Sequence, residues 1–177
     1  MRKKFVVSVS NLKPGENPLT LSFPSSLIET KDAEIPGNID AQLILRRNGD
    51  RIDVRGDVHF LAKLVCSRCL TNFKKEFREK IEVEYRQEIF RPKGLKVDLR
   101  RIINQDYYSG DEIDLFPLIR DTVILALPMA PVCKSDCKGL CPICGKNLNE
   151  GECGCKREET HPWKEMLKGI KEQIKRG

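Results

Sequence analysis

Residues 133–145 have the sequence Cys133-Lys-Ser-Asp-Cys137-Lys-Gly-Leu-Cys141-Pro-Ile-Cys144-Gly145. The remaining cysteines of this 177-residue chain are also paired, as Cys66-Ser-Arg-Cys69 and Cys153-Gly-Cys155. Two thiolates a few residues apart bind one zinc ion without straining the backbone, and four thiolates complete a closed tetrahedral site. Eight cysteines in four pairs therefore predict two zinc ions.

The sequence leaves two ways of dividing the cysteines open. In the favoured division, Cys153 and Cys155 face the Cys141–Gly145 knuckle, because residues i and i+2 of an extended segment point to the same side. The second site then contains Cys66, Cys69, Cys133 and Cys137, and it ties the tail to the rest of the chain. The alternative has one site of Cys133, Cys137, Cys141 and Cys144, and another of Cys66, Cys69, Cys153 and Cys155.

Disulfide, redox and iron–sulfur chemistry are the competing interpretations of the cysteines. A disulfide framework needs an oxidising compartment, and the first residues lack the apolar core of an export signal. A redox Cys-x-x-Cys motif usually follows a strand and begins a helix, whereas Cys66 and Cys69 join two strand-like segments. The apolar run 123–132 contains Pro128 and Pro131 and is shorter than the roughly 20 residues that span a bilayer. We therefore expect a soluble, cytoplasmic metal-binding protein.

The sequence on both sides of Cys66 alternates between apolar and polar residues, which is typical of β-strands. Upstream, 39–45 and 52–64 share this pattern around Asn48-Gly49-Asp50, a hairpin turn. Downstream, 73–89 alternates again, so the first cysteine pair is predicted at a strand–turn–strand corner. Two shorter strands, near 5–9 and 19–23, are predicted on either side of a break at Asn17-Pro18. His59 falls on the polar face and is interpreted as a solvated strand residue.

Two helices complete the prediction. One is capped by Asp114 and ends before Pro128. The other begins near Thr160, and its apolar stripe consists of Trp163, Met166, Leu167, Ile170 and Ile174. The fold class is thus α+β. Residues 1–131 form an antiparallel β-rich domain with a helix near 114–127, and residues 132–177 form a cysteine-rich zinc module with a terminal helix, joined to the domain through Cys66 and Cys69.

The formal net charge of +6 suggests a nucleic-acid partner, but eight thiolates and two zinc ions would lower it to +2. Charge then matters only locally. Residues 90–110 are rich in Pro, Gly and charge and are predicted to form a mobile loop. Its basic residues are candidate phosphate contacts: Arg91, Lys93, Lys96, Arg100 and Arg101.

The order of these motifs resembles the YceD family of large ribosomal RNA subunit accumulation proteins. The resemblance is carried by Val65-Cys-Ser-Arg-Cys69, Leu125-Ala-Leu-Pro128, the block from Cys133 to Asn149, Cys153-Gly-Cys155 and His161-Pro-Trp163. It implies a bacterial, cytoplasmic, non-enzymatic factor needed for normal accumulation of large-subunit ribosomal RNA. It supplies no catalytic residue and no established RNA contact.

The residues also argue against catalysis, because four thiolates fill every position that a catalytic zinc would keep open. We expect a zinc-stabilised factor that binds ribosomal RNA or a pre-ribosomal particle, with no small-molecule substrate and no membrane. The alternative is an adaptor that binds a ribosomal protein or an assembly factor without touching RNA.

Overall fold

A computed structural model describes residues 5–30, 33–87 and 105–155. Within these ranges the chain forms seven strands, one α-helix and two short 3-10 turns. The strands are β1 (Val6–Ser8), β2 (Gly15–Pro24), β3 (Asn38–Asn48), β4 (Arg51–Val65), β5 (Asn72–Gln87), β6 (Gln105–Tyr108) and β7 (Glu112–Asp114). The helix is α1 (Phe116–Ala126), and the 3-10 turns are Val9–Asn11 and Ser25–Leu27.

Five strands form the main sheet in the order β2-β3-β4-β5-β6, and β1 pairs with β7 in a separate two-stranded sheet. Strands β2 to β5 are antiparallel neighbours, as predicted, but β6 runs parallel to β5. The sheet is therefore mixed, which corrects the expectation of a purely antiparallel one. The end of the predicted 90–110 loop is also corrected, because Gln105–Tyr108 is strand β6.

The hairpin between β3 and β4 is confirmed. Asn48 pairs with Arg51, and Gly49 takes the positive φ of +67° that the turn requires. The predicted break at Asn17-Pro18 is wrong, because Pro18 lies inside β2 opposite Ile44. Strand β2 is at the edge of the sheet, where a proline without an N–H costs no ladder hydrogen bond.

The core lies on one face of the sheet. Alternate residues of β3 and β4 point inward, and Ile39, Ile52 and Val58 are fully buried. Helix α1 covers this face at β4 and β5 with Ile119 and Val123, which are also fully buried. Burying each of these side chains contributes about 1.5–3 kcal/mol. One face of the sheet is thus closed by the chain itself.

Helix α1 starts one residue later than predicted, because Leu115 and not Asp114 occupies its N-cap. The Asp114 carboxylate accepts a hydrogen bond from the Phe116 amide at 3.0 Å, and Pro117 occupies the first turn, where its missing N–H is not needed. The helix ends at Ala126, one residue before the predicted end. The second predicted helix, from Thr160 onward, lies outside the described residues. None of the helices in the described ranges is long and apolar enough to span a membrane.

The opposite face of the sheet is charged, and two of its arginines pair with glutamates of the neighbouring strand. Arg51 lies 2.9 Å from Glu84, and Arg55 lies 2.9 Å from Glu82. Each exposed pair of this kind stabilises the fold by about 1 kcal/mol or less. His59 is exposed on this face, which confirms that it is a solvated strand residue.

Candidate metal centre

The eight cysteines form two groups of four. Within each group the sulfur atoms all lie within 4.8 Å of one another. We call Cys66, Cys69, Cys133 and Cys137 the sheet site, and Cys141, Cys144, Cys153 and Cys155 the tail site. The structure therefore forms the favoured division of the cysteines and not the alternative.

The sheet site begins at the corner between β4 and β5, where the sequence predicts it. The Cys66 amide donates to the Thr71 carbonyl at 3.0 Å, and the Leu70 amide donates to the Cys66 carbonyl at 2.9 Å. Leu70 closes this turn with a φ of +57°, the one positive value of a non-glycine residue in the described part of the chain. We call this turn, Cys66–Thr71, the first knuckle.

The tail site contains the same turn. The Cys141 amide donates to the Lys146 carbonyl at 2.8 Å, and the Gly145 amide donates to the Cys141 carbonyl at 2.9 Å. Gly145 has a φ of +72° and occupies the position that Leu70 has in the first knuckle. We call this turn, Cys141–Lys146, the second knuckle. Each site therefore combines one knuckle with a second, more open pair of cysteines.

The tail contacts the first knuckle through the two residues between its cysteines. The Ser67 amide donates to the Pro131 carbonyl at 2.7 Å, and the Leu140 amide donates to the Arg68 carbonyl at 3.1 Å. The Arg68 guanidinium also donates to the Cys137 carbonyl at 3.2 Å. The sheet site is consequently the place where the tail is attached to the main sheet.

The spacing of the sulfurs fits a tetrahedral metal site. Cys66 Sγ lies 3.8 Å from Cys137 Sγ, and Cys69 Sγ lies 3.7 Å from Cys133 Sγ. Four thiolates at about 2.3 Å from a zinc ion are about 3.8 Å apart along the edges of their tetrahedron. A disulfide would need a sulfur–sulfur distance of about 2.05 Å. The two groups could each hold a metal ion, and the donor set suits a thiophilic metal such as zinc.

The thiols of the sheet site differ in acidity. Burial raises the pKa of Cys66, but hydrogen bonds from the backbone of Cys69, Cys133 and Arg68 outweigh burial and lower this pKa to about 6. At Cys133, burial and then the neighbouring sulfurs raise the pKa to about 12. The knuckle thus favours one thiolate, while a full set of four thiolates needs a cation.

The tail site shows the same contrast. The backbone amides of Cys144 and Ile143 lower the pKa of Cys141 to about 6. The Cys144 sulfur, followed by burial and the Cys153 sulfur, raises the pKa of Cys155 to about 12. Both sites therefore have one knuckle thiolate that forms readily and one thiol that holds its proton.

The supporting residues of these sites did not follow from the sequence. Thr71 Oγ1 lies 3.4 Å from Cys69 Sγ, and the Asn149 side chain donates to Cys137 Sγ at 3.3 Å. The sequence did contain a signal for this loop. An asparagine such as Asn147 favours a turn in which its side-chain oxygen accepts a hydrogen bond from the amide two residues later, here that of Asn149. Asn147 Oδ1 does accept from the Asn149 amide at 3.1 Å.

The other predicted site lies outside the described residues. It consists of the five candidate phosphate contacts, Arg91, Lys93, Lys96, Arg100 and Arg101. Of the two tyrosines near this segment, Tyr108 is buried and donates to the Asp50 carbonyl at 3.0 Å. Tyr108 therefore packs on the domain rather than presenting its ring to a nucleic acid base.

Comparison with known proteins gives one family match. Residues 54–171 match the family described as large ribosomal RNA subunit accumulation protein YceD. A chloroplastic large ribosomal RNA subunit accumulation protein, YCED homolog 1 of Arabidopsis thaliana, is 43% identical over 63 residues, which are 36% of this chain and 20% of that protein. An uncharacterised protein of Mycobacterium tuberculosis is 28% identical over 159 residues, 81% of this chain and 74% of that protein. No solved structure gives a significant match.

Proposed function

Because the chain belongs to the YceD family of large ribosomal RNA subunit accumulation proteins, we propose that it is a non-enzymatic zinc-binding factor that supports the accumulation of large-subunit ribosomal RNA. The matched segment spans only a fifth of the Arabidopsis protein, so the activity is proposed for this chain and not transferred as a whole. The proposal of zinc binding rests on the two groups of four cysteines, in each of which the sulfurs lie within 4.8 Å of one another.

We assign both metal sites a structural role. A catalytic zinc keeps one coordination position open for water or substrate, whereas four cysteine sulfurs fill the coordination shell. Three of the four sheet-site cysteines are also buried, with Cys66 at 0% exposure. A bound zinc would supply positive charge that stabilises the four thiolates, and the residues around it would hold the tail against the sheet.

For the partner, we propose ribosomal RNA or a pre-ribosomal particle, contacted through the basic residues between 91 and 101. The composition of this segment supports the choice. On the outer face of the sheet, by contrast, basic residues lie among glutamates, and Arg51 and Arg55 each have a carboxylate partner. Within residues 91–101 of the sequence, Asp98 is the only acidic residue among the five basic ones.

Salt titration of RNA binding tests the proposed contact. The first variant has glutamine in place of all five basic residues, Arg91, Lys93, Lys96, Arg100 and Arg101. It should bind RNA more weakly, and the slope of log affinity against log salt concentration should be shallower by about 3 to 5. The matched control replaces five exposed basic residues of the outer sheet face, Arg46, Arg55, Lys74, Arg78 and Lys80. A larger loss in the control than in the first variant would contradict the proposed contact.

Crosslinking in cells tests the function itself. The protein is crosslinked, and the attached RNA is sequenced while the attached proteins are identified from the same sample. Enrichment of large-subunit ribosomal RNA supports the proposal. Ribosomal proteins or assembly factors without enriched ribosomal RNA would contradict direct RNA contact and favour the adaptor. Metal-dependent cleavage of precursor RNA by the purified protein would contradict the non-enzymatic assignment.

A further inference from the structure

One short segment, residues 137–141, connects the two sites along the chain, and we call it the strip. Cys137 is a member of the sheet site, and Cys141, four residues later, is a member of the tail site. Between them, Leu140 donates to the Arg68 carbonyl of the first knuckle at 3.1 Å. A displacement of this strip would therefore move sulfurs of both groups.

The strip is held by the loop that follows the second knuckle. Leu140 and Asn147 form an antiparallel bridge, and the Leu148 amide donates to the Gly139 carbonyl at 2.9 Å. This loop lies in sequence between Cys144 and Cys153, so its two ends belong to the tail site. The loop is consequently anchored at both ends in the tail site.

Asn149 connects this loop to the sheet site directly. Its side-chain N–H groups donate to Cys137 Sγ at 3.3 Å and to Asn147 Oδ1 at 2.8 Å. Its Oδ1 accepts from the Lys138 amide at 3.0 Å. The side chain therefore has three partners, and two of them are the sulfur of Cys137 and the backbone directly after it.

Asn147 extends the connection to the other half of the sheet site. Its Nδ2 lies 3.4 Å from Thr71 Oγ1, and the same hydroxyl lies 3.4 Å from Cys69 Sγ. Asn147 also accepts from both the backbone and the side chain of Asn149. Two asparagines of the tail-site loop thus reach both pairs of sheet-site cysteines.

We propose that Asn147 and Asn149 are positioning residues for the sheet site, and that they couple the two sites so that an ordered, metal-loaded tail site strengthens metal binding at the sheet site. The inference rests on the proposed zinc binding. Hydrogen bonds from outer residues fix the orientation of metal ligands, and their loss typically weakens metal binding by 10- to 100-fold. The coupling is reciprocal, so loss of the sheet site weakens the tail site by the same factor.

The test uses Asn149→Asp in the full chain. Aspartate keeps the oxygen that accepts from Lys138 but removes the N–H donors to Cys137 Sγ and to Asn147 Oδ1, and it adds a negative charge beside the thiolates. Zinc affinity at the sheet site, measured by competition with a chelator, should fall at least about tenfold. In the protein loaded with 113Cd, only the NMR signal of the sheet site should shift, with signals assigned from single-site variants. Asn38→Asp on β3, where the exposed asparagine donates to Ser22 Oγ, is the matched control and should change neither quantity.

The coupling itself is tested by removing the tail site with Cys144→Ser and Cys153→Ser together. The sheet site of this variant should bind zinc about tenfold more weakly than in the full chain, and adding Asn149→Asp should then cost less than about twofold. A sheet site that binds equally well with and without the tail site would overturn the coupling while leaving zinc binding intact. A wild-type chain that takes up no metal would overturn both.

Discussion

At the scale of single residues, the two knuckles make the same turn with different amino acids at the critical position. Gly145 adopts a positive φ without strain, whereas Leu70 adopts it against a cost of about 1–2 kcal/mol. A glycine directly after a Cys-x-x-Cys pair indicates such a turn in the sequence, whereas a leucine gives no such signal. The left-handed conformation of Leu70 is imposed by its hydrogen bond to Cys66 and by the contacts of the tail with Ser67 and Arg68.

This difference predicts opposite effects of two substitutions. Leu70→Gly should leave the free energy of unfolding unchanged or raise it by up to about 1 kcal/mol, because Leu70 is 62% exposed and loses little packing. Gly145→Ala should lower it by about 1 kcal/mol through backbone strain alone, since the space around its Cβ is open. Urea unfolding of both zinc-loaded variants measures the effects. A loss of more than about 1 kcal/mol in Leu70→Gly would show that its side chain has a packing role.

The thiol acidities predict how metal binding depends on pH. Cys133 and Cys155, whose pKa values are raised to about 12, hold protons at pH 7, while Cys66 and Cys141 have pKa values lowered to about 6. Each zinc must therefore displace at least one proton, and affinity must fall as pH falls, by about tenfold per pH unit for each proton displaced.

Isothermal titration calorimetry at pH 7 in buffers of different ionisation enthalpy measures the number of protons released when zinc binds. We expect two or more protons released per chain on filling both sites. Release of fewer than one proton would mean that all eight thiols are already ionised, which contradicts the raised pKa values of Cys133 and Cys155.

At the scale of elements, the strands that alternate strongly could be predicted, and those fixed by distant partners could not. Strands β3, β4 and β5 follow the period-two pattern and the Asn48–Asp50 turn. Strand β6 is too short to show a period-two pattern in its own sequence. It is a strand because it pairs in parallel with β5, a contact between segments that are distant in sequence. Strand β2 continues through Pro18 because it pairs with β3 along its whole length and lies at the sheet edge, where proline is tolerated. Its edge position could not be read from the local sequence.

The long central strand β4 yields a prediction about packing. Gly56 lies opposite Leu43 and Ile81, and a Cβ there would lie 2.0 Å from the Gln42 carbonyl oxygen. Gly56→Ala should force β3 and β4 apart and lower the free energy of unfolding by about 1–3 kcal/mol. Thermal unfolding followed by circular dichroism measures the effect. Gly154→Ala, whose Cβ enters open space, is the control, and an equal loss in both variants would contradict the clash as the cause.

At the scale of the whole molecule, the cysteines connect regions that are distant in sequence. The spacing of the four pairs indicated two metal sites, but it left two divisions open, because spacing does not show which pairs meet across the fold. The structure decides this through contacts between Ser67 and Pro131 and between Arg68 and Leu140. The family was recognisable from the cysteine motifs, whereas the bound partner depends on surfaces that spacing does not describe.

The most direct test of the account counts zinc in two double variants by native mass spectrometry. Cys66→Ser with Cys133→Ser removes two ligands from the sheet site alone, so we predict a fall from two zinc ions per chain to one. Cys66→Ser with Cys153→Ser damages both sites, so we predict no tightly bound zinc. The alternative division of the cysteines requires the reverse. No zinc in the first variant and one in the second would contradict the account, as would a wild-type chain without two zinc ions.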